Sequence, residues 1–246
     1  MRIKINIVWF KRDLRLSDHQ PLKNAFSNGL PTLLIYNFEP LLLDDVHYNE
    51  RHWRFVYQSI CDLNTQLARF NSRVYIFNED MQTLLESLHS QFEITNLFSH
   101  QEIGLNNTFE RDIAIKAWCQ HHHINWLESP TGAVIRGKRN RSNWNERWQQ
   151  TMQAPIAIPN WKQIKPLALT DYQTPILPSA YTQDNEHFQH GGPRLAREVM
   201  QSFFAERGKS YQKGISSPSL SRTHCSRLSP YLAWGNLSVR EVFQEG

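Results

Sequence analysis

The chain has 246 residues, 40% of them hydrophobic, with 27 Lys and Arg against 23 Asp and Glu. That length suits one large domain, or one domain and part of a second, and the composition supports a sizeable core. No apolar run approaches the roughly 20 residues that cross a bilayer, which excludes a helical membrane protein; charges interrupt MRIKINIVWFKRD where a secretion signal needs an apolar stretch, and Cys61, Cys119 and Cys225 form no CxxC, so a cytosolic protein without a cysteine metal site is expected.

The β-branched run Ile3 to Phe10 reads as a buried strand, and Thr32 to Phe38, Arg73 to Phe77, Ile94 to Ser99 and Ile124 to Leu127 repeat the pattern. Helical spacing lies between them. Trp53, Val56, Ile60, Leu63 and Leu67 recur at three and four within Asn49 to Phe70. Asp80 is placed to cap a helix carrying Leu84, Leu85 and Leu88, and Asn107 or Thr108 to cap one carrying Ile113, Ala117 and Trp118. Strands alternating with helices predict parallel pairing through right-handed crossovers, an open five-stranded α/β sheet over residues 1–130. Such sheets bind ligands beyond the carboxyl ends of their strands. Here those ends are Phe10-Lys11-Arg12, Phe38-Glu39-Pro40 and His100-Gln101-Glu102.

The chain then changes character. Residues 1–130 carry 12 basic and 15 acidic side chains; residues 131–246 carry 15 and 8. Arg136, Lys138, Arg139, Arg141 and Arg147 concentrate the excess, which either attracts phosphate or is a solvated face. Trp144 and Trp148 share one face of a short helix. Pro155, Pro159, Pro166, Pro175 and Pro178 punctuate residues 151–185, which read as an interdomain linker within 131–190. From Gly191 a helix carries Leu195, Val199, Phe203 and Phe204 to a stop near Gly208, opening a helical segment over 191–246.

No GxGxxG, GxxxxGK[ST], GxSxG or HExxH is present, so a dinucleotide fingerprint, a P-loop, a hydrolase elbow and a zincin are disfavoured. His121, His122 and His123 point in successive directions and read as a surface cluster. Two segments carry more. WFKRDLRLSD, residues 9–18, is a strand end followed by interleaved charges, either a salt-bridged cap or a ligand edge. In THCSRLSPYL, residues 223–232, hydroxyls and free amides at a helix start suit an anion, and Arg227 supplies a fork; plain serine capping is the alternative.

Taken together, WFKRDLRLSD and CSRLSPYLAWGNLS resemble the DNA photolyase/cryptochrome family. LFSHQEIGLNNTFERD at 97–112, the stretch from Gly132 to Met152 and GGPRLAREVMQSFF at 191–204 extend the resemblance over essentially the whole chain. It implies a Rossmann-like antenna domain at 1–130, a linker, and the incomplete start of an all-α FAD-binding domain at 191–246, whose apolar faces would be exposed. The implied activity is light-driven electron transfer from FAD that splits pyrimidine dimers in damaged DNA. The alternatives are a blue-light signalling cryptochrome and a stand-alone chromophore- or nucleotide-binding module. The chain alone is expected to be inactive, and no catalytic residue, metal ligand or oligomeric state is assigned.

The resemblance places FAD contacts at Tyr211, Cys225, Ser226, Arg227, Leu228 and Ser229. It places contacts to an antenna chromophore of unassigned identity at Phe10, Arg12, Phe38 and Asn107. The sequence departs from the family pattern in places. Cys225 stands where a threonine is usual, removing a hydroxyl. Ile215 stands where photolyases carry an arginine to DNA phosphate, with Arg222 as a possible substitute. Thr108 aligns with the acid of folate-binding members.

Overall fold

In a computed structural model that describes residues 2–138 and 140–246, five strands form one parallel sheet. They are β1 (Lys4–Phe10), β2 (Thr32–Asn37), β3 (Val74–Phe77), β4 (Glu93–His100) and β5 (Asn125–Ser129), in the order β3-β2-β1-β4-β5. The register sets Phe10 beside Tyr36, Trp9 beside Ser99 and His100 beside Ser129. β1 is central and buried on both faces, which is why Ile5 to Phe10 is an almost unbroken apolar run. Alternate side chains serve opposite layers: Val8 and Phe10 join one core cluster, and Ile5, Ile7 and Trp9 the other.

The crossovers are α1 (Gln20–Asn28), the short α2 (Pro40–Leu43) with α3 (Glu50–Leu67), α4 (Met81–Gln91) and α5 (Asn106–His121). Asp80 caps α4 as expected, accepting from the amides of Gln82 and Thr83. The start of α5 differs from expectation. Leu105 takes the cap position because the Thr108 hydroxyl bonds back to the Leu105 carbonyl at 2.7 Å, while the Asn107 amide reaches the Leu41 carbonyl and Asp45. α1 has no counterpart in the sequence reading. Its buried residues are only Pro21, Leu22, Ala25 and Phe26; His19 caps it through the Leu22 amide, and Gly29 ends it at φ 77°.

The expected linker is an ordered strap. Lys165 and Leu167 hydrogen-bond both sides of Thr32 at the start of β2, the Tyr172 hydroxyl bonds both backbone groups of Ile76, and Ala157 bonds His19 and Asp18. Its prolines keep it extended and remove amide donors. Along and beyond the strap lie α6 (Trp144–Gln153), α7 (Ser179–Thr182), α8 (Pro193–Ala205), α9 (Tyr211–Gly214), α10 (Ser221–His224), α11 (Ser229–Ala233) and α12 (Val239–Glu245). Arg139, of the expected basic cluster, lies outside the described residues; Arg136 pairs with Glu128 at 2.6 Å.

The segment from 191 onward closes on the sheet. Ala196, Met200, Leu228, Tyr231, Trp234 and Leu237 belong to the same buried cluster as Val8, Phe10 and Trp53. Asn236, fully buried, is the hub: its Nδ2 donates to the Leu14 carbonyl, and its Oδ1 accepts from Gly192 N–H and the Ser59 hydroxyl. Gly235 beside it has φ 69°, and a Cβ there would meet the Arg12 carbonyl oxygen at 2.1 Å. Tyr211, Ile215, Leu220, Val239 and Phe243 are exposed, as expected of this segment. Among the described residues no helix is long and apolar enough to cross a membrane.

Candidate functional site

Strand order reverses between β1 and β4, so their carboxyl ends diverge into a crevice, the usual ligand position in an open parallel sheet. Here the crevice is filled by charge. Lys11 bonds Asp112 at 3.0 Å; Arg111 bonds Asp112 at 2.8 Å and Glu39 at 2.5 Å and reaches Glu102 at 3.5 Å; Arg12 lies 3.6 Å from Glu102 and bonds the Tyr48 hydroxyl. Three cations thus face three carboxylates. Lys11 and Arg111 lie over the Trp9 ring, and Arg12 over Tyr48 and Trp234. Burial pushes the Glu39 carboxyl up to about 7 despite Arg111, and its Oε2 has no partner.

Of the residues assigned to an antenna group, Phe10 and Phe38 are fully buried in the core beneath this cluster. Arg12 and Asn107 stand at the edge but are engaged, with Tyr48 and Glu102 and with Leu41 and Asp45. The space among Trp9, Arg12, Tyr36, Glu39, Arg111 and Trp234 is about 20 Å³, against roughly 300–1,000 Å³ for an ordinary small-molecule site. Sequence reasoning found the strand ends but missed that Arg111-Asp112 on α5 complete the cluster; the RD of FERD was the available signal.

Behind Arg12, the buried Asp13 holds two histidines. His100 Nδ1 lies 2.6 Å from Asp13 Oδ2, and His19 Nε2 lies 2.9 Å from the same oxygen but poorly aligned for a hydrogen bond. Asp13 Oδ1 accepts from the Lys11 amide. His19 Nδ1 accepts from Leu22 N–H, which places its proton on Nε2. These groups lie within 4.8 Å of one another, near enough to share a cation, but both imidazoles already turn toward one carboxylate oxygen. Burial lowers His19 to about 4, against the attraction of Asp13. Burial alone would raise the Asp13 carboxyl, but His19 and His100 outweigh it and hold it well below the ordinary range.

This arrangement predicts acid sensitivity. Unfolded His19 takes a proton near pH 6.5 and the folded residue only near 4, so the stability it contributes is complete above pH 6.5 and falls as pH drops to 4, by about 3 kcal/mol in all. Urea midpoints measured across that window should fall steeply in the wild type and less in His19→Gln. Parallel curves for the two proteins would contradict the assignment.

The residues assigned to FAD lie elsewhere, on the last segment. Arg207 donates to the carbonyls of Cys225 and Ser226, at 2.5 and 3.3 Å, and Gln189 to that of Arg227. Arg227 takes φ 58°. The amides of Ser226 and Arg227 donate to no other group of the described residues, and the Ser226 hydroxyl only touches Leu228 N at 3.5 Å. Leu228 is core; Ser229 and Tyr211 are exposed, and Tyr211 packs edge-on to Phe203 rather than joining the turn. The helix that follows, α11, is one turn long, so any anion here is met by turn amides and hydroxyls and not by a long helix dipole. These donors fit the diphosphate end of FAD. The cavity beside them, bounded by Arg227, Phe188 and Trp234, is about 270 Å³.

A family profile described as DNA photolyase matches residues 6–154. The cryptochrome DASH of Gloeobacter violaceus is 21% identical over 268 aligned residues, covering 100% of the chain and 53% of that protein. The Synechocystis cryptochrome structure superposes with a TM-score of 0.83 at 19% identity, covering 100% of the chain and 55% of its own. The Sulfolobus tokodaii photolyase, described with two FAD molecules, superposes at 0.76 with 20% identity, covering 98% of the chain and 54% of its own. The chain therefore spans about half the length of these relatives.

Proposed function

The chain belongs to the DNA photolyase family, and from that premise we propose that it is part of a flavoprotein whose FAD diphosphate lies against the Cys225–Ser229 turn. The family activity proposed for the whole protein is light-driven electron transfer from FAD that splits pyrimidine dimers in DNA. FAD supplies the photochemistry; the residues of this chain bind and orient it. The observation that carries the reading is the turn itself, where Arg207 fixes the carbonyls outward from the two unpartnered amides. Cys225 in place of threonine leaves the half-buried Ser226 and the exposed Ser229 as the hydroxyls of the turn.

A second reading, blue-light signalling, is favoured by Ile215. It is 52% exposed where the resemblance puts an arginine for DNA phosphate, while the nearby Arg222 is exposed. The experiment is the visible spectrum of the purified chain with added FAD, repeated on the supernatant after denaturation, and then dimer-containing DNA under blue light. Bound flavin that Arg207→Ala releases is expected; flavin indifferent to that change would remove the turn from the site. Dimers are expected to persist, because the cavity of about 270 Å³ beside the turn takes only part of a flavin dinucleotide and leaves no room for a second ligand.

A further inference from the structure

Between α3 and the loop of residues 184–190 lies a cavity of about 230 Å³, and we propose that it binds a free α-amino acid in its zwitterionic form. One wall is a single stripe of α3, because Arg51, Arg54, Phe55 and Gln58 follow one another at helical spacing. The other wall carries Asp184, Glu186 and Phe188. The cavity shares Arg51, Phe55, Phe188 and Gln189 with the one beside the Cys225–Ser229 turn, but Arg54, Gln58, Asp184 and Glu186 line only the first. The proposal therefore stands apart from the flavin reading.

The walls carry opposite charges that do not close on each other. Among the described residues no ion pair joins Arg51 or Arg54 to Asp184 or Glu186, although all four line the same space. Arg54 is half-buried, and its Nε is buried without a hydrogen-bond partner. A donor left in that state is costly, and a carboxylate is the group whose two oxygens match a guanidinium fork. Arg51, exposed, stands one turn away on the same face. The acidic end is held in place. Gln58 accepts from Gly191 N–H at 2.9 Å and donates to Asp184 Oδ1 at 2.8 Å. Gly191 in turn packs so closely on α3 that a Cβ there would meet the Phe55 carbonyl oxygen at 2.1 Å. His190 Nε2 approaches the same Asp184 Oδ1 at 3.5 Å. Both contacts fall on Oδ1, which leaves Oδ2 for an ammonium.

This lining selects by charge and by size. A simple anion meets two carboxylates here, and a simple cation meets two guanidiniums; a ligand bearing both charges satisfies both walls. The volume lies below the roughly 300–1,000 Å³ of a drug-sized site, which excludes a nucleotide or a flavin and suits an amino acid. Phe55, buried, and Phe188, 46% exposed, give the ligand's side chain an apolar wall, so aromatic and branched aliphatic amino acids are selected over charged ones.

The test is calorimetric titration of the whole chain with L-phenylalanine and L-leucine. Hydrocinnamate, which lacks the ammonium, and phenethylamine, which lacks the carboxylate, are the controls. One saturable site is expected for at least one of the amino acids, with both controls weaker by roughly tenfold or more. Arg54→Gln and Asp184→Asn should each weaken the amino acid by a similar factor, and Arg207→Ala should leave it unchanged. The Asp184 side chain is 79% exposed, so its variant keeps the measurement valid if Arg54→Gln fails to fold. No saturable binding of either amino acid, hydrocinnamate binding as well as phenylalanine, or binding indifferent to Asp184→Asn each overturns the proposal. Loss of flavin binding in Arg207→Ala is read separately and bears only on the turn.

Discussion

Arg111→Leu should cost about 3–5 kcal/mol of stability at pH 8. Arg111 is buried and contacts Glu39, Glu102 and Asp112 together. Removing it leaves carboxylates facing one another, with only Lys11 and Arg12 to balance them. Taking out one partner of a buried pair is far worse than replacing the whole set, because the remaining charges keep their desolvation cost. The loss should shrink at pH 5.5. Glu39 already titrates near 7, so its carboxyl is protonated there and needs no cation. Denaturant midpoints of the two proteins at the two pH values decide this; an equal loss at both would mean that Glu39 is not the group left stranded.

Gly235→Ala should be comparably damaging, roughly 3 kcal/mol or more, for two separable reasons. The φ of 69° strains any side-chain-bearing residue, and the new methyl would sit 2.1 Å from the Arg12 carbonyl oxygen and 2.6 Å from Asp13 Cα. Backbone atoms there cannot step aside, since Leu14 N–H is bonded to the Trp234 carbonyl and Asn236 to the Leu14 carbonyl. Gly29→Ala is the control. Its φ is 77° with nothing within 4 Å of the added Cβ, so it carries the strain alone, about 1 kcal/mol. Thermal midpoints of the two variants should differ widely; similar values would show that the segment after 228 yields readily at Gly235.

The sheet was legible because its inner strands are buried on both faces and so print as continuous apolar runs; all five strands fall where the expected runs stand, although β5, at the edge, is exposed at Asn125 and Leu127. α1 was not legible. Its first turn holds Pro21 and its cap is a histidine, a residue type that gives no start signal, and only the fold brings Asp13 and His100 to orient that histidine. The contacts of the strap were hidden for a related reason. Prolines at 155, 159 and 166 suppress periodicity, yet the segment is held by bonds to Thr32, His19 and Ile76. In the site, the strand ends were readable, but whether Lys11, Arg12 and Glu39 greet a ligand or one another depends on Arg111 and Trp234, which arrive from 72 and 195 residues beyond Glu39.

The clasp of Leu14 by Trp234 and Asn236 also sets an order of events during synthesis. Its partners are some 220 residues apart, as Asn236 to Leu14 spans 222 positions. Every strand of the sheet leaves the ribosome long before that contact can form, and nascent chains fold from the N-terminal side as units emerge. The loop from Asp13 to Asp18 therefore waits open on a formed sheet until the last turn reaches it. Contacts of such long range close late and slowly, so the rate at which the protein reaches its native state is governed less by the sheet than by the docking of Gly235 onto Arg12.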